Sequence, residues 1–78
     1  MMNTIFSVPV FDATVIYEGN ELFKGQGAAR MWADKLAKEI ETEVGVRKIG
    51  TGWVLFGQLD GAEVIWGIHG QRLKRIES

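Results

Sequence analysis

The sequence predicts an α+β fold: an antiparallel β-sheet of about four strands in ββαββ order, with one long helix packed on one face. Three observations lead to this prediction. A helical pattern of apolar residues occupies the middle of the chain, and a hairpin signal lies on each side of it. Strands and a helix in this order favour an antiparallel sheet with a helix on one side.

The strongest signal is the stretch Thr51–Gly70, which carries Asp60-Gly61 between two runs of aromatic and branched residues. A type I′ turn needs φ > 0 at both central residues, which Asp-Gly tolerates, so the stretch predicts a β-hairpin. Leu59 then faces Ala62. We expect the pairing to continue without interruption to Thr51 opposite Gly70.

This register divides the hairpin into two faces, because side chains alternate along a strand and cross-strand partners share a face. One face is predicted to be core, with Gly57 leaving room for an aromatic neighbour, and carries Trp53, Leu55, Leu59, Ala62, Val64, Trp66 and Ile68. The other face carries Val54, Phe56, Ile65, Gln58, Glu63 and His69. One helix can cover only one face, so the Val54, Phe56 and Ile65 strip is expected to lack cover from the helix.

The helix is predicted over Ala28–Val44, where apolar residues recur at intervals of three and four. They form one stripe: Ala29, Trp32, Ala33, Leu36, Ala37, Ile40 and Val44. Gly27 lies just before this range. Gly45 lies just after it and is expected to end the helix in the left-handed conformation.

A second hairpin is predicted before the helix, with Gly19-Asn20 as its turn and Thr14–Glu18 and Glu21–Lys24 as its arms. This register sets Glu18 opposite Glu21, and like charges at that position are unfavourable. A longer loop would relieve the repulsion, and both versions stay open.

Three further segments complete the predicted domain. Thr4–Phe11 contains Pro9, which cannot donate to a β-ladder, so residues 1–11 are interpreted as an edge strand, a bulge or an ordered arm. Val46–Ile49 is expected to begin the third strand and to bend before the aromatic hairpin. Gln71–Ser78 either continues the fourth strand or forms a helical turn.

Length and composition favour one small folded domain over residues 1–78. A hydrophobic content of 46% with a net charge of −1 argues against intrinsic disorder, and the even charge argues against an obligate nucleic-acid binder. The N-terminal residues show neither a signal peptide nor a membrane-spanning pattern, which predicts a cytoplasmic protein.

The residue inventory gives little support for catalysis, a metal site or a cofactor. The chain has no cysteine, and His69 is its single histidine. Ser7 and Ser78 lie near the termini, so a nucleophile–base pair is not expected. Gly25-Gln26-Gly27 precedes the helix but lacks the other residues of a phosphate-binding loop.

The basic residues suggest a contact surface. Extending the aromatic hairpin places Arg47 opposite Lys74 and Ile49 opposite Arg72, so five basic residues are expected to gather at its open end: Arg47, Lys48, Arg72, Lys74 and Arg75. In one interpretation, Glu39, Glu41 and Glu43 neutralise them as a solvated rim. In the other, they form a basic patch that binds a phosphate backbone or an acidic protein surface.

The Val54, Phe56 and Ile65 strip has three possible occupants. The arm Thr4–Phe11 could fold over it, a second copy of the chain could pair with it, or another protein could bind it. Exposed apolar patches of several hundred Å² usually mark interaction sites.

In overall build, with the Ala28–Val44 helix between two hairpins and no catalytic set, the chain resembles several small phage-encoded anti-CRISPR proteins. The resemblance implies a stoichiometric inhibitor that binds a CRISPR effector complex and blocks target-DNA engagement or nuclease recruitment. It implies action in the host bacterial cytosol. These proteins share no motif, so the resemblance assigns no functional residue.

The sequence therefore predicts a non-enzymatic binding protein without a cofactor, whose partner is a protein. The partner-binding residues are predicted to be Arg47, Lys48, Val54, Phe56, Ile65, His69, Arg72, Lys74 and Arg75. One alternative is a nucleic-acid-binding accessory protein that stacks Phe56 on a base. Another is a homodimeric interaction module.

Overall fold

A computed structural model describes residues 13–70 and 72–76, which form one helix and an antiparallel sheet of six strands. The elements are β1 (Thr14–Tyr17), β2 (Asn20–Phe23), α1 (Gln26–Ile40), β3 (Val44–Ile49), β4 (Gly52–Leu59), β5 (Ala62–His69) and β6 (Arg72–Ile76). The α+β class with one helix is confirmed. The predicted arm Thr4–Phe11 lies outside the described residues.

The predictions of about four strands and of ββαββ order are wrong, because two segments form strands of their own. Val44–Ile49 turns back at Gly50 and pairs with β4, with Ile49 opposite Gly52. Within the tail, Arg72–Ile76 runs back after Gly70 and pairs with β5, with His69 opposite Arg72. Both glycines have positive φ, which lets the chain reverse within two residues. The order is therefore ββαββββ.

The β4–β5 hairpin has the predicted register near its turn. Five pairs form, from Leu59 opposite Ala62 to Leu55 opposite Trp66. Asp60 and Gly61 have φ of 53° and 81°, as a type I′ turn requires.

Beyond Leu55 the expected continuation of this hairpin is wrong. Instead of pairing with each other, Trp53 and Ile68 both pair with β2, Trp53 with Phe23 and Ile68 with Glu21. The β1–β2 hairpin therefore enters the sheet between the diverging ends of β4 and β5. Sequence periodicity reports which face a residue occupies but not which strand lies beside it, so it could not reveal this insertion.

The turn of the β1–β2 hairpin lies one residue earlier than predicted. Tyr17 pairs with Asn20, so the loop is Glu18-Gly19, with φ of 50° and 82°. Glycine thus takes the second position of the turn, as it does at Asp60-Gly61. Glu21 lies opposite Ile16, and the predicted repulsion between Glu18 and Glu21 as directly opposed strand residues does not arise.

The helix is shorter than predicted and Gly45 does not cap it. Helix α1 ends at Ile40, and Glu41 takes the left-handed conformation with φ of 58° and donates its backbone N–H to the Ala37 carbonyl oxygen. Gly45 instead lies within β3, where a Cβ atom would stand 2.8 Å from the Phe56 ring. Packing against β4 explains that glycine.

The main core lies between α1 and one face of the sheet, and the predicted apolar stripe of the helix faces it. Ala29, Trp32, Ala33 and Leu36 are buried there. The sheet contributes buried Phe23, Val44, Leu55, Val64, Trp66, Ile68 and Leu73. Burying large apolar side chains contributes roughly 1.5–3 kcal/mol each, so this layer supplies most of the stability.

Candidate functional site

The candidate site is the far face, which we define as the sheet face opposite α1. Alternation along the strands places on it Arg47 of β3, Val54 and Phe56 of β4, Glu63, Ile65 and His69 of β5, and Arg72, Lys74 and Ile76 of β6. Seven of the nine predicted binding residues, Val54 among them, therefore share this face. Lys48 and Arg75 lie on the α1 side of the sheet.

The expectation that Val54 is exposed is wrong, because only 1% of its surface is accessible. Leu22 is also buried, and neither residue belongs to the cluster under α1. The far face therefore has a small core of its own. A buried valine cannot contact a partner directly, so its role in binding is at most indirect.

Glycines let side chains of the far face lie close to the sheet. At Gly67 a Cβ atom would stand 2.7 Å from Ile76 Cδ1, and at Gly52 it would stand 2.7 Å from Leu22 Cβ. The Phe56 ring occupies the corresponding space at Gly45. This packing is shallow, and Phe56 and Ile65 remain half-buried.

Arg47 is held at one end of the far face. Its guanidinium lies 4.3 Å from the centre of the Phe56 ring, and its Nη2 donates a 2.8 Å hydrogen bond to Glu63 Oε2. The Arg47 and Glu63 side chains are 41% and 47% exposed, so water and salt weaken their attraction. Arg47 thus already has an internal counterion and lies over the aromatic ring.

The predicted gathering of five basic residues is wrong, because β3 and β6 do not pair. Strands β4 and β5 lie between them in the sheet. Lys48, on the α1 side, has its Nζ 5.5 Å from the centre of the Trp53 ring. The basic residues thus form two groups on two strands, and the three on β6 are the larger group.

The three basic residues of β6 have different surroundings from Arg47. Arg72, Lys74 and Arg75 are exposed, and their partners across the strand pair are His69, Gly67 and Trp66, none of which is acidic. None of the three forms an ion pair with another residue in the described part of the chain. His69 is also exposed and lies beside Arg72 on the far face.

Sequence reasoning missed a cleft of about 610 Å³ beside the Phe56 ring. It is lined by Arg30, Thr42, Glu43, Val44, Gly45, Phe56, Gly57, Gln58 and Glu63. Its residues come from four elements and a loop, which explains why no local motif marks it. Its charged groups have both signs, so the lining favours no single class of ligand.

The described residues offer little for metal chemistry. Among residues 13–70 and 72–76, no three of the side chains of His, Asp and Glu lie together in a way that could hold a metal ion. In the same ranges, no helix has the length and apolar character needed to span a bilayer. The features that remain are a shallow apolar strip and the basic strand β6.

Comparisons with known proteins add no family assignment. The chain matches no protein-family model, and no curated protein sequence or solved structure is significantly similar to it.

Proposed function

We propose that the protein is a non-enzymatic binding protein whose far face and strand β6 contact another protein in the cytoplasm. The narrower form of the proposal is an anti-CRISPR-type inhibitor that occludes a surface of a CRISPR effector complex. This narrower form rests on the resemblance in overall build.

The observation that carries the proposal is the basic group on β6. Exposed Arg72, Lys74 and Arg75 have neighbours on β5 that are not acidic, whereas Arg47 is paired with Glu63. Concentrating like charges in one place is unfavourable for the isolated protein. A partner with an acidic surface would turn this repulsion into attraction and would also speed association.

The alternatives have less support from the geometry. Base stacking needs a free aromatic face, but the Arg47 guanidinium lies over the Phe56 ring. Val54 is buried, so it cannot contribute contact area to a homodimer formed through the Val54, Phe56 and Ile65 strip. We therefore keep nucleic-acid binding and self-association as outcomes of the tests.

The inhibitor proposal is tested by expressing the chain in bacteria that carry one CRISPR system each, drawn from both effector classes, and challenging them with a targeted plasmid. We expect the protein to restore plasmid transformation in at least one strain. The double variant Arg72→Glu with Lys74→Glu should lose this effect. If the chain relieves interference in none of the strains, the inhibitor proposal is wrong.

A matched control separates the site from the overall charge. Lys24→Glu with Lys38→Glu changes the net charge equally, and both positions are exposed and lie outside β5 and β6. This control should inhibit like the wild type. Equal inhibition by the β6 variant would show that the basic strand is not the contact site, even if inhibition itself is real.

A further inference from the structure

We propose that β6 accepts an extended acidic segment of the partner protein as an additional strand of the sheet. This inference rests on the proposed binding function and specifies the chemistry of the partner. An added strand gains affinity from main-chain hydrogen bonds and specificity from its side chains.

The first argument is that β6 is an edge strand in the sheet formed by residues 13–70 and 72–76. It pairs with β5 on one side, and no described residue pairs with it on the other. His69 and Arg72 flank a two-residue connection, so the N–H and C=O groups of Arg72 point toward β5 and pair with those of His69. In an antiparallel pair such hydrogen-bonded positions alternate with positions whose backbone groups point away, so Lys74 and Ile76 also face β5. The N–H and C=O groups of Leu73 and Arg75 therefore point outward, where another strand could pair with them.

The second argument is the distribution of charge. Arg72 and Lys74 project to the far face, whereas Arg75 projects to the α1 side. A strand placed beside β6 also sends its side chains alternately to both faces. Such a strand could place acidic residues opposite all three basic residues. A nucleic-acid backbone laid on one face would meet only those that project there.

The same charges argue against a second copy of this chain at the β6 edge. An antiparallel pairing of β6 with β6 would set Arg72 opposite Lys74 when centred on Leu73, and Lys74 opposite its own copy when centred on Lys74. Like charges directly opposite are destabilising. Charged edge strands also prevent unwanted sheet extension. The edge is therefore suited to an acidic partner strand and disfavours pairing with β6 of a second copy.

The probe that matches this edge is a capped peptide with the central sequence Val-Glu-Glu-Thr-Glu, aligned antiparallel to β6. Read from its N-terminus, its residues lie opposite Ile76, Arg75, Lys74, Leu73 and Arg72. Its control contains Lys in place of each Glu. Fluorescence anisotropy of the labelled peptides against the full chain measures binding. We expect the acidic peptide to bind and the basic one not to bind.

Backbone methylation of the peptide tests the strand geometry independently of charge. In the aligned probe, the residues opposite Leu73 and Arg75 direct their N–H groups toward β6. Methylating those two nitrogens should abolish binding. Methylating the nitrogen of the residue opposite Lys74, which points away from β6, should leave the affinity nearly unchanged. Equal affinity of both methylated peptides would overturn strand addition, even if charge still drives binding.

Variants of the protein complete the test. Arg72→Glu with Lys74→Glu should weaken binding of the acidic peptide by about tenfold or more, because each opposed pair changes from attraction to repulsion. The control variant, Lys24→Glu with Lys38→Glu, should bind the acidic peptide with nearly the affinity of the wild type. A thermal melt of each variant confirms folding. No binding of the acidic peptide to folded wild type would overturn this inference, whereas the plasmid experiment tests the inhibitor function separately.

Discussion

The two faces of the sheet differ in how they are packed, and neighbouring residues of β5 show the difference. Trp66 points to the α1 side and is fully buried in the main core. Gly67, the next residue, points to the far face, where Ile76 lies close against its backbone. On the α1 side, large side chains fill the space between the helix and the sheet. On the far face, side chains lie close to the sheet backbone at glycines.

This difference separates stability from binding. Most of the large buried side chains lie on the α1 side, so the far face and the edge strand β6 can carry charges and half-buried apolar groups without weakening the core. We expect changes in the main core, which includes Leu73 of β6, to affect unfolding, and changes at the exposed basic residues of β6 to affect binding.

The largest expected effect is that of Trp66→Ala. Removing this fully buried side chain leaves a cavity in the main core, so the free energy of unfolding should fall by about 3–5 kcal/mol. Urea denaturation measures the loss. As a control, Met31→Ala removes an apolar side chain that is 45% exposed and should change stability by less than about 0.5 kcal/mol. Similar losses for both variants would contradict the assignment of the core.

The glycines of the far face should tolerate no side chain. In Gly67→Ala the new Cβ would stand 2.7 Å from Ile76 Cδ1 and 3.0 Å from the Glu21 carbonyl oxygen. The Ile76 side chain can move but the carbonyl cannot move freely, so we expect a loss of about 1–3 kcal/mol by urea denaturation. Gly27→Ala meets no atom within 4 Å, lies in α1, and should stabilise the protein by roughly 0.5 kcal/mol. A neutral Gly67→Ala would contradict the close approach of the Glu21 carbonyl oxygen to Gly67.

A smaller effect on stability is expected from the ion pair between Arg47 and Glu63 across β4. A double-mutant cycle with Arg47→Ala and Glu63→Ala should give a coupling energy of about 0.2–1 kcal/mol, because the pair is partly exposed. The coupling should decrease as salt is added, which urea denaturation at two ionic strengths can measure. A coupling that does not depend on salt would argue against an ionic contact.

The smallest effect on stability is expected on β6. Arg72→Glu with Lys74→Glu changes exposed residues that form no ion pair with the rest of the described chain. The free energy of unfolding should therefore change by less than about 0.5 kcal/mol. A large loss of stability, measured by the same urea titration, would mean that these residues support the fold and would weaken their assignment to binding.

The sequence predicted the parts of the fold that depend on local pattern. The Asp60-Gly61 turn and the stripe of α1 from Ala29 to Ile40 follow from turn chemistry and periodicity, and both are confirmed. Val44, the last residue of the predicted stripe, instead begins β3. The number of strands was underestimated because Gly50 and Gly70 were not recognised as chain reversals. The reversal at Gly50 pairs β3 with β4, and the reversal at Gly70 pairs β6 with β5. The predicted pairing of Arg47 with Lys74 is therefore wrong.

The candidate site was predicted only in part, because its composition depends on which strands lie side by side. Alternation correctly placed Phe56, Ile65 and His69 on the face away from α1. It could not show that Val54 is buried, since the β1–β2 hairpin enters the sheet from a distant part of the chain. Nor could it show that Arg47 pairs with Glu63 across β4, because that contact depends on the β3–β4 register.

The most direct test of the central claim is amide hydrogen exchange of the full chain, followed by NMR with and without the acidic peptide. The backbone groups of Leu73 and Arg75 point away from β5, so their amides should exchange quickly in the free protein and slow markedly when the peptide binds. The Lys74 amide faces Gly67 on β5 and should be protected in both states. Slower exchange confined to Leu73 and Arg75 is the result we predict. If the peptide leaves both amides unprotected, β6 is not the strand that receives the partner.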